Sequence, residues 1–204
     1  MPTRYDPDIH HRRAIRLRGW DYRDAGAYFV TICTHGGQPL FGDVADGTMR
    51  LNEYGEIVAA CWRDLPRHHP HVELDAFVVM PNHVHGIIVI RGDACGRGDA
   101  CVAPTADGPR GPIPQSLGAI IGSFKSACTR RINEMRGTPG APVWQRNYYD
   151  RIIRNDREWN AIREYIQNNP ITWERDAENP DIPVGTRRPG PQAWASAAAR
   201  KRSR

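Results

Sequence analysis

Residues 74–90 read LDAFVVMPNHVHGIIVI and contain two apolar runs, Leu74–Met80 and Val84–Ile90, separated by Pro81 and Asn82. Short apolar runs that are bounded by turn-forming residues are typical of buried strands. The stretch therefore predicts two adjacent antiparallel strands at the centre of a sheet.

The segments on either side predict the remaining strands and the helices. The β-branched and aromatic run Tyr28–Thr34 indicates a strand, and apolar residues spaced by three and four indicate helices. The predicted elements are, in order, a strand over 28–34, a small hairpin over 40–51, a helix over 53–65, the two central strands, a helix from Ser116 to near Gly137, a strand over 143–153, and a helix from Asn155 or Asp156 to Asn169–Pro170. This order predicts an α+β fold: a ferredoxin-like antiparallel sheet with helices on one face and a C-terminal helix that carries Tyr165.

The length and composition indicate one globular domain with appendages. The chain has 204 residues, of which 40% are hydrophobic and 25% charged. We expect an N-terminal arm over 1–23, a domain over 24–173 with a flexible loop over 91–115, and a basic, disordered tail over 174–204. Residues 181–204 contain six arginine and lysine residues and one aspartate, which equals the whole net charge of +5. The tail is either an arm that contacts phosphates or merely a solvated end.

The sequence also bears on the compartment. It has no apolar stretch of the roughly 18 residues that a membrane-spanning helix needs, and residues 1–23 are polar. The five cysteines are an odd number without a tight framework. We therefore expect a cytoplasmic protein without a membrane partner and without a structural disulfide.

His83 and His85 are the first candidates for a functional site. They are separated by one residue at the start of a predicted strand, so both imidazoles lie on one face. A pair of edge histidines would give the same pattern, but Tyr165 and Asn169 provide a second element, because i and i+4 lie on one side of a helix. Two imidazoles and an amide oxygen leave positions open for phosphate and water, which favours Mg²⁺ or Mn²⁺ over structural zinc.

Four segments of the chain resemble the REP-associated tyrosine transposases, relatives of the single-tyrosine insertion-sequence transposases among the His-hydrophobic-His nucleases. They are Ala76–Gly86, Gly122–Ala127, Val143–Asp150 and Arg163–Pro170. The resemblance implies metal ligands at His83, His85 and Asn169 and a nucleophile at Tyr165. It also implies a substrate of single-stranded or hairpin DNA, formed by repetitive extragenic palindromes, and a monomer or a homodimer.

The resulting hypothesis is a metal-dependent single-stranded DNA endonuclease and strand transferase that works through a 5′-phosphotyrosine intermediate. A noncatalytic binder of DNA hairpins and a metal phosphodiesterase that uses water remain as alternatives. Tyr148 and Tyr149 are rival nucleophiles, of which at most one can face the site if they lie on a strand. The candidate DNA-binding residues, for which solvation or core packing is the alternative, are Lys125, Arg131, Trp144 and Arg146.

A further cluster of three histidines is predicted to lie in a loop and not to form a functional site. No partner carboxylate or strand pattern places His68, His69 and His71 on one side of an element.

Overall fold

The structure is a computed structural model that describes residues 24–92 and 114–182. Its strands and helices are β1 Gly26–Cys33, β2 Gly42–Ala45, β3 Thr48–Leu51, α1 Glu53–Arg63, α2 Leu65–His68, β4 Val72–Val79, β5 His83–Ile90, α3 Leu117–Met135, β6 Tyr149–Ile153 and α4 Asp156–Gln167. Short 3₁₀ helices follow β1 at His35–Gly37 and α4 at Trp173–Arg175.

Four strands form one sheet in the order β4-β5-β1-β6, and every neighbouring pair is antiparallel. The hairpin of β2 and β3 forms a separate small sheet. Strand order and connections match the ferredoxin-like arrangement, so the predicted fold class is confirmed.

The two faces of the sheet have different helical partners because strand side chains alternate. On one face, Tyr28, Val30 and Ile32 of β1 belong to a cluster with the apolar sides of α1 and α3. On the other face, Ala27 and Phe29 pack against α4. The predicted pair of helices on one face and the separate tyrosine-bearing helix are both present.

The close approach of α1 to the sheet depends on a glycine. A Cβ atom added to Gly86 of β5 would lie 2.2 Å from Cζ2 of Trp62, a fully buried residue of α1. The Trp62 ring fills this space and contacts Phe77 and Phe124 at centroid distances of 5.8 and 5.3 Å.

The last predicted strand is shorter than expected. The prediction covered residues 143–153, but β6 contains only Tyr149–Ile153, and Trp144 forms a single bridge with Thr34. The backbone before β6 bonds to a side chain instead, because Lys125 Nζ donates to the carbonyl oxygens of Gln145 and Asn147, at 2.8 Å each.

The first predicted helix also ends earlier than expected. It was placed over 53–65, whereas α1 ends at Arg63 and the separate turn α2 begins at Leu65, with Pro66 among its first residues. Proline fits the first turn of a helix because the amide it lacks would have no intrahelical partner there.

The packed part of the chain continues past the expected domain end at residue 173. Asp176 and Asn179 are 2% and 4% exposed, and the Asn179 side chain donates to the Trp173 carbonyl at 2.9 Å. The expected arm over 1–23, most of the expected loop over 91–115 and the tail from 183 lie outside the described residues. Within residues 24–92 and 114–182, no helix combines the length and the apolar character needed to cross a membrane.

Candidate active site

Strand β5 brings the two candidate histidines together. His83 and His85 are its first and third residues, they are completely buried, and their ring centroids lie 4.3 Å apart. The side-chain alternation of a strand therefore places both imidazoles on the α4 face of the sheet, as the sequence predicts.

The Nδ1 atom of each imidazole has a partner in a neighbouring side chain. His83 Nδ1 lies 2.9 Å from Asn82 Oδ1, and His85 Nδ1 lies 2.9 Å from Thr31 Oγ1. Because an amide oxygen can only accept, His83 carries its proton on Nδ1 and its Nε2 has a free lone pair. The buried Nε2 of His83 has no hydrogen-bond partner among the described residues. Such an outer bond is the usual way in which a protein orients a metal-binding histidine.

Helix α4 places Tyr165 over the same point. The helix buries Ile162 and Ile166 against the sheet, and Tyr165 on the same side is 3% exposed. The Tyr165 hydroxyl lies 3.5 Å from His85 Nε2, and its ring meets Phe29 edge to face at a centroid distance of 6.2 Å. The predicted tyrosine and the predicted histidine pair therefore share one buried site.

Asn169 completes the predicted set, although α4 ends at Gln167 and Asn169 lies two residues past the helix rather than on it. It is fully buried, and its Nδ2 donates to Asp176 Oδ2 at 2.8 Å. This bond fixes the amide so that Oδ1 is the free end, and Oδ1 has no hydrogen-bond partner among the described residues. Asp176 Oδ2 also accepts from the Tyr165 hydroxyl at 3.4 Å.

The potential metal ligands around the histidines, which we call the donor set, belong to His83, His85, Asn169 and Asp176 and suit a divalent cation. Potential ligand atoms of His83, His85 and Asp176 all lie within 4.8 Å of one another. Buried polar atoms almost always have partners, so the unpaired Nε2 of His83 and Oδ1 of Asn169 indicate a missing one. Two imidazoles, an amide oxygen and a carboxylate can coordinate Mn²⁺ or Mg²⁺ and leave sites for a phosphate.

The electrostatics of the site keep the imidazoles neutral. Burial lowers the pKa of His83, although the carboxylates of Asp176 and Glu178 act in the opposite direction. Burial and the adjacent His83 lower the pKa of His85 well below its usual value. Neutral imidazole is the form that binds a metal, so the lowered pKa values are compatible with a cation site.

Asp75 anchors α4 to the sheet. It accepts from Trp159 Nε1 and from Arg163 Nη2 of α4, at 2.6 Å each. Asp75 lies where the pairing of β4 with β5 shifts between Leu74 and Phe77, so it belongs to an irregular part of the strand. The helix that carries Tyr165 is therefore held against the sheet of its own chain.

The residues predicted to bind DNA have four different environments. Lys125 is half-buried, and burial lowers its pKa to about 8. Trp144 is 7% exposed and packs between Phe41 and Phe124, so its ring is part of the core. Arg131 forms an ion pair with Asp64 at 4.0 Å, and Arg146 is exposed. None of the four belongs to the donor set around the histidines.

The other residues considered in the sequence also lie outside that set. Tyr148 and Tyr149 pack in the two hydrophobic clusters on opposite faces of the sheet. His68 is the last residue of α2, and His69 and His71 follow with their ring centroids 5.9 Å apart.

Asp176 is the site residue that sequence reasoning missed. It lies in an irregular segment after Pro170, where no helical or strand period assigns a direction to a side chain. The available signal was an acidic residue a few positions after a candidate ligand, which is too common to single out a residue.

The fold and the buried His-His-Tyr-Asn-Asp constellation define a ferredoxin-like α+β protein with a candidate metal centre beside a tyrosine. The chain belongs to the same family as an uncharacterized protein of Haemophilus influenzae, with 43% identity over 183 residues that cover 86% of this chain and 97% of that one. No family model matches the chain.

Two solved structures are similar to the chain over most of its length. One is a REP-associated tyrosine transposase bound to a REP hairpin, 17% identical, with a TM-score of 0.49 over 83% of this chain and 89% of that one. The other is a proposed transposase from Deinococcus radiodurans, 18% identical, with a TM-score of 0.41 over 75% of this chain and 95% of that one.

Proposed function

We propose that the protein is a metal-dependent endonuclease and strand transferase that cuts single-stranded DNA beside a hairpin and forms a covalent bond through Tyr165. The observation that carries this proposal is the Tyr165 hydroxyl, buried 3.5 Å from His85 Nε2, beside unpaired donor atoms of His83 and Asn169. A tyrosine that served only the core would need no cation site next to its hydroxyl.

His83, His85 and Asn169 would hold Mn²⁺ or Mg²⁺, with Asp176 as a further oxygen ligand. A divalent ion in this position supplies positive charge for the phosphoryl oxygens during displacement. The chain's own contribution is orientation: Asn82 and Thr31 direct the imidazoles, and Asp176 directs the Asn169 amide.

The Tyr165 oxygen would attack the scissile phosphorus, and the bond from phosphorus to the 3′ oxygen of the preceding nucleotide would break. The leaving 3′ oxygen takes up a proton, so the products are a 5′-phosphotyrosine and a free 3′-hydroxyl. The phenol must lose its own proton, and Asp176 Oδ2 at 3.4 Å is an acceptor in hydrogen-bond contact with it. Attack by another 3′-hydroxyl on the phosphotyrosine would rejoin the strands without a nucleotide cofactor.

Hairpin DNA is proposed as the substrate on the basis of the four sequence segments that resemble REP-associated tyrosine transposases. The structurally similar transposase was determined with a REP hairpin bound. A monomer that uses its own Tyr165 is the proposed active form, because α4 packs on the sheet of the same chain.

A denaturing gel tests the chemistry. The protein is incubated with 5′-extended DNA hairpins and Mn²⁺ or Mg²⁺, and we expect a protein–DNA adduct that survives denaturation. Tyr165→Phe should abolish the adduct because it removes the attacking oxygen, whereas the control Tyr148→Phe should retain it. Cleavage without an adduct would instead indicate attack by water, and binding without cleavage in both metals would indicate a noncatalytic hairpin binder.

A further inference from the structure

A groove lies between α3 and the segment 139–146 that leads towards β6. Its volume is about 770 Å³, and its lining includes Lys125, Thr129, Arg130, Asn133 and Arg146. None of these residues belongs to the donor set around the histidines, so the groove is a separate feature.

Two polar side chains of α3 fix the far wall of the groove. Lys125 Nζ donates to the carbonyl oxygens of Gln145 and Asn147, and Asn133 Nδ2 donates to the carbonyl oxygen of Ala141 at 2.9 Å. These bonds connect the segment to the helix at both ends of the groove. A groove shaped in this way is formed before any ligand arrives, which lowers the entropic cost of binding.

The charge of the groove is positive. Its lining contains three basic residues, Lys125, Arg130 and Arg146, and a single acidic residue, Glu134. Lys125 Nζ already donates hydrogen bonds to two backbone carbonyl oxygens, whereas the side chains of Arg130 and Arg146 are exposed. One guanidinium group can donate two parallel hydrogen bonds to the oxygens of one phosphate. Two exposed arginines along one groove therefore suit a phosphodiester backbone.

A second, smaller cavity lies on the other side of Arg130. It has a volume of about 310 Å³ and is lined by His68, His69, Ser123, Ser126, Ala127 and Arg130. Ser126 and Arg130 line both spaces, so the outer side of α3 forms one continuous track. The polar groups that this cavity adds are imidazoles and a hydroxyl, and it adds no carboxylate.

The groove also ends close to the histidines. The Gln145 amide donates to the Cys33 carbonyl at 2.9 Å, and Cys33 is paired directly with His83 across β1 and β5. Paired residues on antiparallel strands have Cα atoms about 5 Å apart. Gln145 at the end of the groove therefore lies near the strand end that carries His83, with α3 and the histidines on opposite faces of the sheet.

We propose that the groove between α3 and residues 139–146 binds the sugar-phosphate backbone of the DNA hairpin through Arg130 and Arg146. This inference rests on the proposed function for its substrate but not on the chemistry at Tyr165. Of the residues predicted to contact DNA, the groove includes Arg146, whereas the ring of Trp144 lies in the core.

The test measures binding without cleavage. The full-length Tyr165→Phe protein is titrated into a fluorescent 5′-extended DNA hairpin in EDTA, and anisotropy is recorded at several NaCl concentrations. In this background, Arg130→Ala and Arg146→Ala should each weaken binding about tenfold and lower the slope of log K against log salt by about 1, as loss of one phosphate contact requires. Arg157→Ala, an exposed arginine on α4, is the matched control and should leave both quantities unchanged.

The inference is overturned if Arg130→Ala and Arg146→Ala bind like the parent, or if Arg157→Ala weakens binding equally. Its outcome is separable from that of the proposed function. Loss of affinity in the groove variants without any adduct in the wild type would leave the groove as a DNA site and exclude the tyrosine chemistry. An adduct in the wild type with unchanged affinity in the groove variants would support the tyrosine chemistry and exclude the groove as the DNA site.

Discussion

Asp176 connects two residues of the candidate site through one carboxylate oxygen. Oδ2 accepts from Asn169 Nδ2 and from the Tyr165 hydroxyl, while Oδ1 accepts from the Glu178 amide at 2.7 Å. The residue is 2% exposed, so water cannot replace these contacts. The carboxylate therefore determines both where the Asn169 oxygen is directed and where the tyrosine hydroxyl is held.

Asp176→Asn should weaken Mn²⁺ binding by about 10- to 100-fold, because the amide removes a charge and one acceptor next to the ligands. Isothermal titration with Mn²⁺ measures this change. Asp181→Asn makes the same chemical change at an exposed position of the same segment and should bind Mn²⁺ like the wild type. Equal affinities for the wild type and Asp176→Asn would exclude Asp176 from the metal centre.

The buried histidines should make the metal-free protein sensitive to acid. Burial lowers the pKa of His83 and His85 in the folded state, whereas histidines in the unfolded chain titrate near 6.5. Below about pH 6.5 the unfolded state therefore binds more protons than the folded state, and the free energy of unfolding falls as the pH is lowered. Above about pH 6.5 both states hold neutral histidines, so this loss of unfolding free energy no longer occurs.

Urea denaturation in EDTA between pH 7.5 and 5 measures this dependence. The double variant His83→Gln/His85→Gln should lose less stability than the wild type over this range, because it lacks the two groups whose pKa values change on folding. Parallel curves for the two proteins would show that these imidazoles are not kept neutral by burial.

Strand β5 supplies the histidines on one face and the contact with α1 on the other. The contact depends on Gly86, the residue after His85, whose missing Cβ leaves room for the Trp62 ring. The requirement is steric, since the nearest ring atom would lie 2.2 Å from an added Cβ.

Gly86→Ala should destabilise the protein by about 1–3 kcal/mol, the usual cost of overpacking a core. Gly122→Ala is the matched control: a Cβ at this exposed position of α3 meets nothing within 4 Å. It should increase the free energy of unfolding by about 0.5–1 kcal/mol, because alanine favours a helix over glycine. Urea denaturation of both variants checks the difference, and a neutral Gly86→Ala would contradict the packing described for Trp62.

In the described part of the chain, the candidate site is assembled from elements of one copy. Helix α4 packs on its own sheet, and the bonds from Asp75 to Trp159 and Arg163 hold it there. All donor atoms around the histidines come from the same chain, within the described residues.

A mixture of Tyr165→Phe and His83→Ala should therefore form no more covalent adduct than either variant alone. If two chains exchanged α4, the mixture would contain sites with both an intact tyrosine and an intact histidine pair, and adduct would reappear on a denaturing gel. Coexpression of the two variants controls for slow exchange between subunits.

Sequence periodicity predicted the main elements because each has an apolar pattern of its own. The strand alternation of His83 and His85 and the helical spacing of Tyr165 and Asn169 are local rules, and the structure places all four side chains together. The predicted strand over 143–153 was too long because its backbone carbonyl groups bond to Lys125, a residue on a different element. Local patterns contain no information about such a bond.

By itself, the sequence determined the order of the elements and the ferredoxin-like class, and periods of two and 3.6 residues placed His83 with His85, and Tyr165 with Asn169, on common faces. The roles of these four residues are what the family resemblance implies. Only the tertiary structure revealed Asp176 in the site, Trp144 in the core and the groove beside Arg130 and Arg146. Each of these depends on contacts between segments that are distant along the chain or lack a regular period, so the burial and partners of the side chains are decided only when the elements pack.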